Sequence, residues 1–150
     1  MYLDIAAKVR IEMDYSYLIV PFLSWFVAGV FKFIINTFIS RRLAFDLVGY
    51  GGMPSNHSAI ISSIAALIAF KEGFDSPLFG LAIANAFIIM LDANSLRRQV
   101  GKQAKAINIL LIEDTHFEKL RERMGHSISE IIGGIIVGTL VATLVWLLTI

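Results

Sequence analysis

Two stretches of this chain limit what it can fold into. Tyr17 to Ile39 is a 23-residue apolar run broken by one charge, Lys32, and Ile128 to Ile150 is a second run of equal length with one charge, Glu130. About 20 apolar residues wound as a helix cross the ~30 Å hydrocarbon core of a bilayer. Lipid offers no hydrogen-bonding partners, so such a segment must satisfy its own backbone, and a helix does that within one segment. The chain is therefore expected to be all-α, an integral membrane helical bundle forming one domain over residues 1–150.

Composition agrees. The 150 residues are 57% hydrophobic and only 17% charged, with a mean hydropathy of +0.73, too apolar for an ordinary soluble domain. The absence of cysteine excludes disulfides, thiolate metal sites and cysteine nucleophiles. Asp4, Lys8, Arg10, Glu12 and Asp14 precede the first long apolar run, which is not the arrangement of a cleavable signal peptide, so that run is expected to stay in the mature protein.

In chain order, Met1 to Asp14 spaces apolar residues among charges at helical intervals, which predicts a short amphipathic helix at the interface. Tyr17 to Ile39 is the first span, closed by Ser40-Arg41-Arg42, and Leu43 to Gly52 connects. Ala59 to Phe70 is an apolar run of only 12 residues, long enough for a span only if its helix starts near Pro54. Ser58, Ser62, Ala65, Ala66 and Ala69 give it a small-residue face for close packing. Leu78 to Leu91 is a third apolar segment, expected to continue into Asp92-Ala-Asn-Ser-Leu-Arg-Arg-Gln on one helix. Thr115 with Glu118 resembles a capping box, and Gly125 would end a short polar helix between them. The last span carries Gly134 and Gly138 in a Gly-x-x-x-Gly pattern.

Four crossings place the loop after the first span and the loop after the third on one side of the membrane. That side carries nine basic residues (Arg41, Arg42, Arg97, Arg98, Lys102, Lys105, Lys119, Arg121 and Arg123), against Lys8, Arg10 and Lys71 on the other. The positive-inside tendency puts the nine in the cytoplasm.

The chemistry gathers on that side. Gly51-Gly-Met-Pro-Ser-Asn-His-Ser58 brings glycines, a proline, hydroxyls, an amide and an imidazole to the start of a helix, where free N–H groups favour a phosphate-like anion. Ser55 can cap that helix or donate to a phosphate oxygen, and His57 titrates in the right range for a general acid. His126 and Glu130 stand four apart, so on a helix the carboxylate could orient the imidazole and leave its other nitrogen nucleophilic. Ser127 to Glu130 also fits a capping box, and both readings stand at this point. Lys32, deep in the first span, is expected to face a polar site. Arg97 and Arg98 suit bidentate phosphate contacts, or the basic collar of a membrane helix. Asp92 is expected to pair with an arginine, and His116 to lie on the surface.

Pro-Ser-Asn-His-Ser, Asp-Ala-Asn-Ser-Leu-Arg-Arg-Gln-Val-Gly and Gly-His-Ser-Ile-Ser-Glu, in this order, resemble the type 2 phosphatidic acid phosphatase and vanadium-dependent haloperoxidase superfamily. They are most similar to its small divergent membrane branch, the acid phosphatase/haloperoxidase-related proteins. The resemblance runs from about Lys32 to the C-terminus. It implies a phosphatase acting on a lipid phosphomonoester or diphosphate through a phosphohistidine, with His126 as nucleophile, Glu130 orienting it and His57 protonating the leaving group. It implies phosphate contacts from Ser55 and the neighbouring Asn56, and from Lys32 with Arg41 or Arg42. Asn56 replaces the usual glycine, Arg41 lies nine rather than six residues beyond Lys32, and Leu120 stands where an arginine is expected, a place Arg97 or Arg98 could fill. No metal or other cofactor is expected, because cationic side chains supply the charge. The partners expected are a lipid phosphate and the bilayer, with no nucleic acid, and four spans leave room for a homodimer. The rival reading is a membrane protein that binds or transports phosphate or phospholipid head groups without turnover. A third uses the Gly134 and Gly138 face for dimerisation alone.

Overall fold

The structure, a computed structural model, describes residues 14–43, 52–113 and 116–149. The described residues form five helices and no strands: α1 (Ser16–Ser40), α2 (Asn56–Glu72), α3 (Pro77–Asn94), α4 (Leu96–Leu110) and α5 (Ile128–Thr149). The sequence expectations for Met1 to Asp14 and for the connection from Leu43 to Gly52 fall almost wholly outside the described residues.

Three of these stretches are long and apolar enough to cross a membrane: α1, the run Pro77–Leu110 that joins α3 to α4, and α5. The fourth apolar segment, α2, begins at Asn56 as its capping Ser55 dictates, and its 17 residues reach only about 26 Å. It lies at the centre of the bundle and packs against α1, α3 and α5. The bundle is built inside out relative to a soluble protein. Leu18, Phe22, Trp25 and Phe26 of α1 and Leu81, Phe87 and Ile88 of α3 are exposed, as a lipid-facing surface requires, while the buried residues are mostly small.

Close approach of α2 and α5 explains the small residues. A Cβ on Gly134 would collide with the Ser55 carbonyl and stand 2.7 Å from Ser58 Cβ, and one on Gly138 would collide with the Ala59 carbonyl. The Gly-x-x-x-Gly face predicted for helix packing is thus occupied within the chain by α2, and a dimer formed through it is ruled out in this fold. Near the far ends of the same two helices Phe70 and Trp146 stack with centroids 5.4 Å apart, so α2 and α5 run parallel and their N-termini lie together. Helix α1 runs the other way. Its N-terminal end meets the C-terminal end of α2, where Tyr17 donates to Glu72 at 2.7 Å and Lys71 donates to Asp14 Oδ2 at 2.6 Å. That bond holds the Asp14 carboxyl down at about 2, so its stabilising contribution is complete above the ordinary carboxylate range and lost as pH falls through about 2.

Two expectations are corrected. The helix through Asp92 to Gln99 divides at Ser95 and continues much further, to Leu110, passing through Gly101, whose missing side chain lets the Glu122 carbonyl come close. The short polar helix expected before Gly125 is absent: residues 117–124 are not helical, and Thr115 lies outside the described residues. Asn108 of α4 explains this. Its Oδ1 accepts the Leu120 N–H at 2.8 Å, while its Nδ2 donates to the Leu120 carbonyl and to Glu122 Oε1, both at 2.8 Å. Bonds to a side chain twelve residues away hold this segment extended against α4 in place of helical ones.

Gly138→Ala and Gly134→Ala should each destabilise the bundle by about 1–3 kcal/mol through overpacking. Thermal unfolding in detergent would register this, and an unchanged midpoint would mean that α2 and α5 separate without cost.

Candidate functional site

Parallel packing of α2 and α5 brings His57, in the first turn of α2, and His126, two residues before α5, to within 6.3 Å between ring centroids. Antiparallel α3 delivers the rest. The Ala93 carbonyl accepts the His126 N–H at 2.8 Å, and Arg97, at the start of α4, donates through Nη1 to His57 Nε2 at 3.3 Å. Arg97 is steered by Asp92, whose Oδ2 accepts from its Nε at 2.7 Å, the pairing expected from sequence.

The two readings of Glu130 prove compatible. One carboxylate oxygen, Oε2, accepts both the His126 Nδ1–H at 3.0 Å and the Ser127 N–H at 3.0 Å, and Ser127 Oγ accepts the Glu130 N–H at 3.3 Å. Glu130 therefore closes the capping box and orients the histidine at once. An ionised carboxylate only accepts, so the proton of His126 sits on Nδ1 and the lone pair on Nε2. A guanidinium only donates, so His57 presents its Nε2 lone pair to Arg97.

His126 is only 7% exposed. Burial, with Lys32 nearby, pushes its pKa below the ordinary imidazole value, and the Glu130 hydrogen bond opposes this only in part. Lys32, predicted to face a polar site, is 3% exposed and lies within electrostatic reach of Glu130, His126 and His57. It sits on an i, i+4 stripe of α1 whose buried members are Ser16, Val20, Ser24, Ala28, Lys32 and Asn36.

Ser55 is fully buried. It caps α2 by accepting from Ser58 N–H at 3.3 Å and Ser58 Oγ at 3.0 Å, and its own N–H is held by the Glu130 carbonyl at 2.9 Å. Asn56 turns toward α1, near Gly29, with Oδ1 buried and without a hydrogen-bond partner. Arg41 and Arg42 follow the last residue of α1 at an exposed position, and Arg41 adopts the left-handed conformation with φ 52°, so the helical register from Lys32 stops short of both. Arg98 is exposed and lines a separate hollow with Lys102, Lys105 and Arg123. The expected pair of arginines is thus split, with Arg97 at the histidines and Arg98 outside. His116 is exposed, as expected.

Sequence reasoning passed over Arg121 and Arg123, which it counted only as topology signals. Both act electrostatically on Lys32, and Arg123 Nη2 lies 3.9 Å from the point a Gly52 Cβ would occupy. Their approach depends on the Asn108 clamp, and on Gly125, whose φ of 81° favours glycine and carries the chain past Arg98 into His126. Among the described residues no group of three or more acidic, histidine or cysteine side chains is arranged to hold a metal.

Two helix N-termini, two facing histidines and a buried lysine gathered at one end of an apolar bundle define an all-α integral membrane protein with a cation-rich polar site. The chain belongs to the divergent PAP2 family, which matches residues 13–141. It is 36% identical over 124 aligned residues to the uncharacterized membrane protein YuiD of Bacillus subtilis (strain 168), an alignment covering 71% of this chain and 78% of that protein. No solved structure matches it.

Asn108→Ala should release the 117–124 segment. In hydrogen exchange the Leu120 amide, slow in the native protein, should approach the rate of a solvated loop, while amides within α5 keep their protection; equal protection at Leu120 in both proteins would contradict the clamp.

Proposed function

We propose that the protein is a membrane-embedded phosphatase acting on a lipid phosphomonoester or diphosphate through a phosphohistidine. The observation that carries this reading is the His126 ring, held through Nδ1 by Glu130 at 3.0 Å, with a second imidazole facing it at 6.3 Å. Binding alone does not require an oriented nucleophile.

In this scheme the substrate phosphoryl group lies between the two N-termini, its charge offset by Arg97 and Lys32 and by the helix dipoles. Arg97 redirects its N–H hydrogen bond from His57 to a phosphate oxygen, which frees His57 Nε2 to take up a proton from solvent before attack. His126 Nε2 attacks phosphorus as the bond to the leaving oxygen breaks, and that oxygen takes the proton from His57. Neutral His57 then removes a proton from water, which attacks the phosphohistidine, breaks the P–N bond and releases inorganic phosphate. The basic collar supports placing this face in the cytoplasm.

Phosphate release from a panel of lipid phosphates by the purified protein tests the proposal. His126→Ala should abolish release and covalent labelling from a radiolabelled substrate, and His57→Ala should slow release about 10²–10⁴-fold. A protein that binds phosphate but releases none from any lipid would favour the rival reading of a binding or transport protein. For that reading the observation is a set of buried polar atoms without partners, Ser24 Oγ, Asn36 Nδ2 and Asn56 Oδ1.

The pH profile gives a second check. His126 must be neutral to attack, so the acid limb of kcat/KM should rise with pH through a value below the ordinary imidazole pKa, and the proton that His57 must carry gives a descending limb at higher pH. Glu130 raises the His126 pKa, so Glu130→Gln should move that acid limb lower still while reducing the plateau. A limb moving upward would contradict the assignment.

A further inference from the structure

Arg98, Lys102 and Lys105 recur at i, i+4 and i+7 on α4, and all three are exposed. Arg123 joins them from the extended segment, and together they line an open hollow of about 340 Å³. The one carboxylate there, Glu122, is engaged by Asn108 at 2.8 Å, so four cations face a single committed anion. The histidine site uses none of the three α4 cations.

The position of this stripe indicates its occupant. Ser95 joins α4 end to end with α3, its N–H on Leu91 O at 2.8 Å and its carbonyl taking Gln99 N–H at 3.1 Å, while its φ of −99° and ψ of −72° break the helix there. Phe87 and Leu91 are 64% and 49% exposed on the surface that meets lipid. The 18 residues of α3 reach about 27 Å, close to the ~30 Å of the hydrocarbon core, so α4 begins where acyl chains give way to head groups. The lipid-facing surface of α3 is therefore followed, at the level of the head groups, by the basic stripe of α4.

We propose that the hollow between α4 and Arg123 is a docking site for the head group of an anionic phospholipid, whose acyl chains lie along the Phe87 and Leu91 face of α3. Apart from Arg123, which also acts on Lys32, it is separate from the histidine site and stands whether or not that site turns over substrate.

The test is native mass spectrometry of the full-length protein in detergent, titrated with phosphatidylglycerol or phosphatidylcholine. Wild type should retain phosphatidylglycerol preferentially, and Lys102→Gln with Lys105→Gln should weaken that binding about 25-fold, roughly fivefold for each cation removed. His126→Ala should bind phosphatidylglycerol like wild type, which separates this site from the proposed catalytic one. Should the double variant not fold, a salt titration of wild type decides: binding of phosphatidylglycerol must fall as ionic strength rises. Equal retention of the two lipids overturns the proposal, as does full displacement of phosphatidylglycerol by millimolar inorganic phosphate, which would mark a free-anion site. An oligomer that the double variant dissociates, with no lipid preference, would assign the hollow to a second copy and equally overturn it.

Discussion

Glu130 is the joint on which the structure depends. Its carboxylate oxygen holds the His126 ring and the Ser127 amide, and its carbonyl holds the Ser55 amide. One residue thereby fixes the start of α5, the start of α2 and the tautomer of the histidine between them. One turn further on, Gly134 leaves no room for a side chain against Ser55 and Ser58, so the two N-termini cannot drift apart without breaking those bonds. A half-buried carboxylate at the edge of an apolar bundle is tolerated because each of its contacts comes from a donor that would otherwise be unsatisfied. The 6.3 Å between the imidazoles follows from this crossing.

Much of this was legible in the sequence because the membrane simplifies the problem. Apolar length located α1, α3 and α5, and the parity of the crossings brought the Pro-Ser-Asn-His segment and His126 to one side before any packing was known. Ser55 was legible as a cap, Lys32 as buried and Asp92 as an arginine partner. Glu130 was legible as two competing roles, because spacing alone does not reveal that one oxygen can serve both. The failures share one physical cause. The segment before Gly125 carries a local helix signal, and Asn108, a partner distant in sequence, overrides it with three hydrogen bonds. Arg97 and Arg98 look equivalent in the sequence, yet they stand about 100° apart around a helix, and only the placement of α3 decides which one meets His57.

Helix α1 shows why burial has to be read differently here. Every fourth residue from Ser16 to Asn36 is buried, and four of those six are polar or charged, while Phe22, Phe26, Phe31, Phe38 and Trp25 face outward. In water that pattern would be unstable. In lipid the exposed face gains nothing by turning in, so the interior is free to be polar where small residues allow close contact. Lys32 near the site and the partnerless amide atoms of Asn36 and Asn56 belong to this interior. Lys32 lies within electrostatic reach of the Glu130 carboxylate, at the end of the bundle where the histidines meet.

The start of α4 links the interior to the outer surface. Just past the break at Ser95, neighbouring residues face opposite ways. Arg97 turns inward to His57, and Arg98 turns outward to the basic hollow. On the functions proposed above, a lipid head group attracted to the outer stripe would sit one residue's rotation away from the inner site, within the same leaflet. An enzyme acting on a lipid phosphate needs its site at the depth of the head group rather than at mid-bilayer. Parallel α2 and α5 achieve this by ending their first turns at one end of the bundle, and α4 carries the cations beyond the hydrocarbon at that same end.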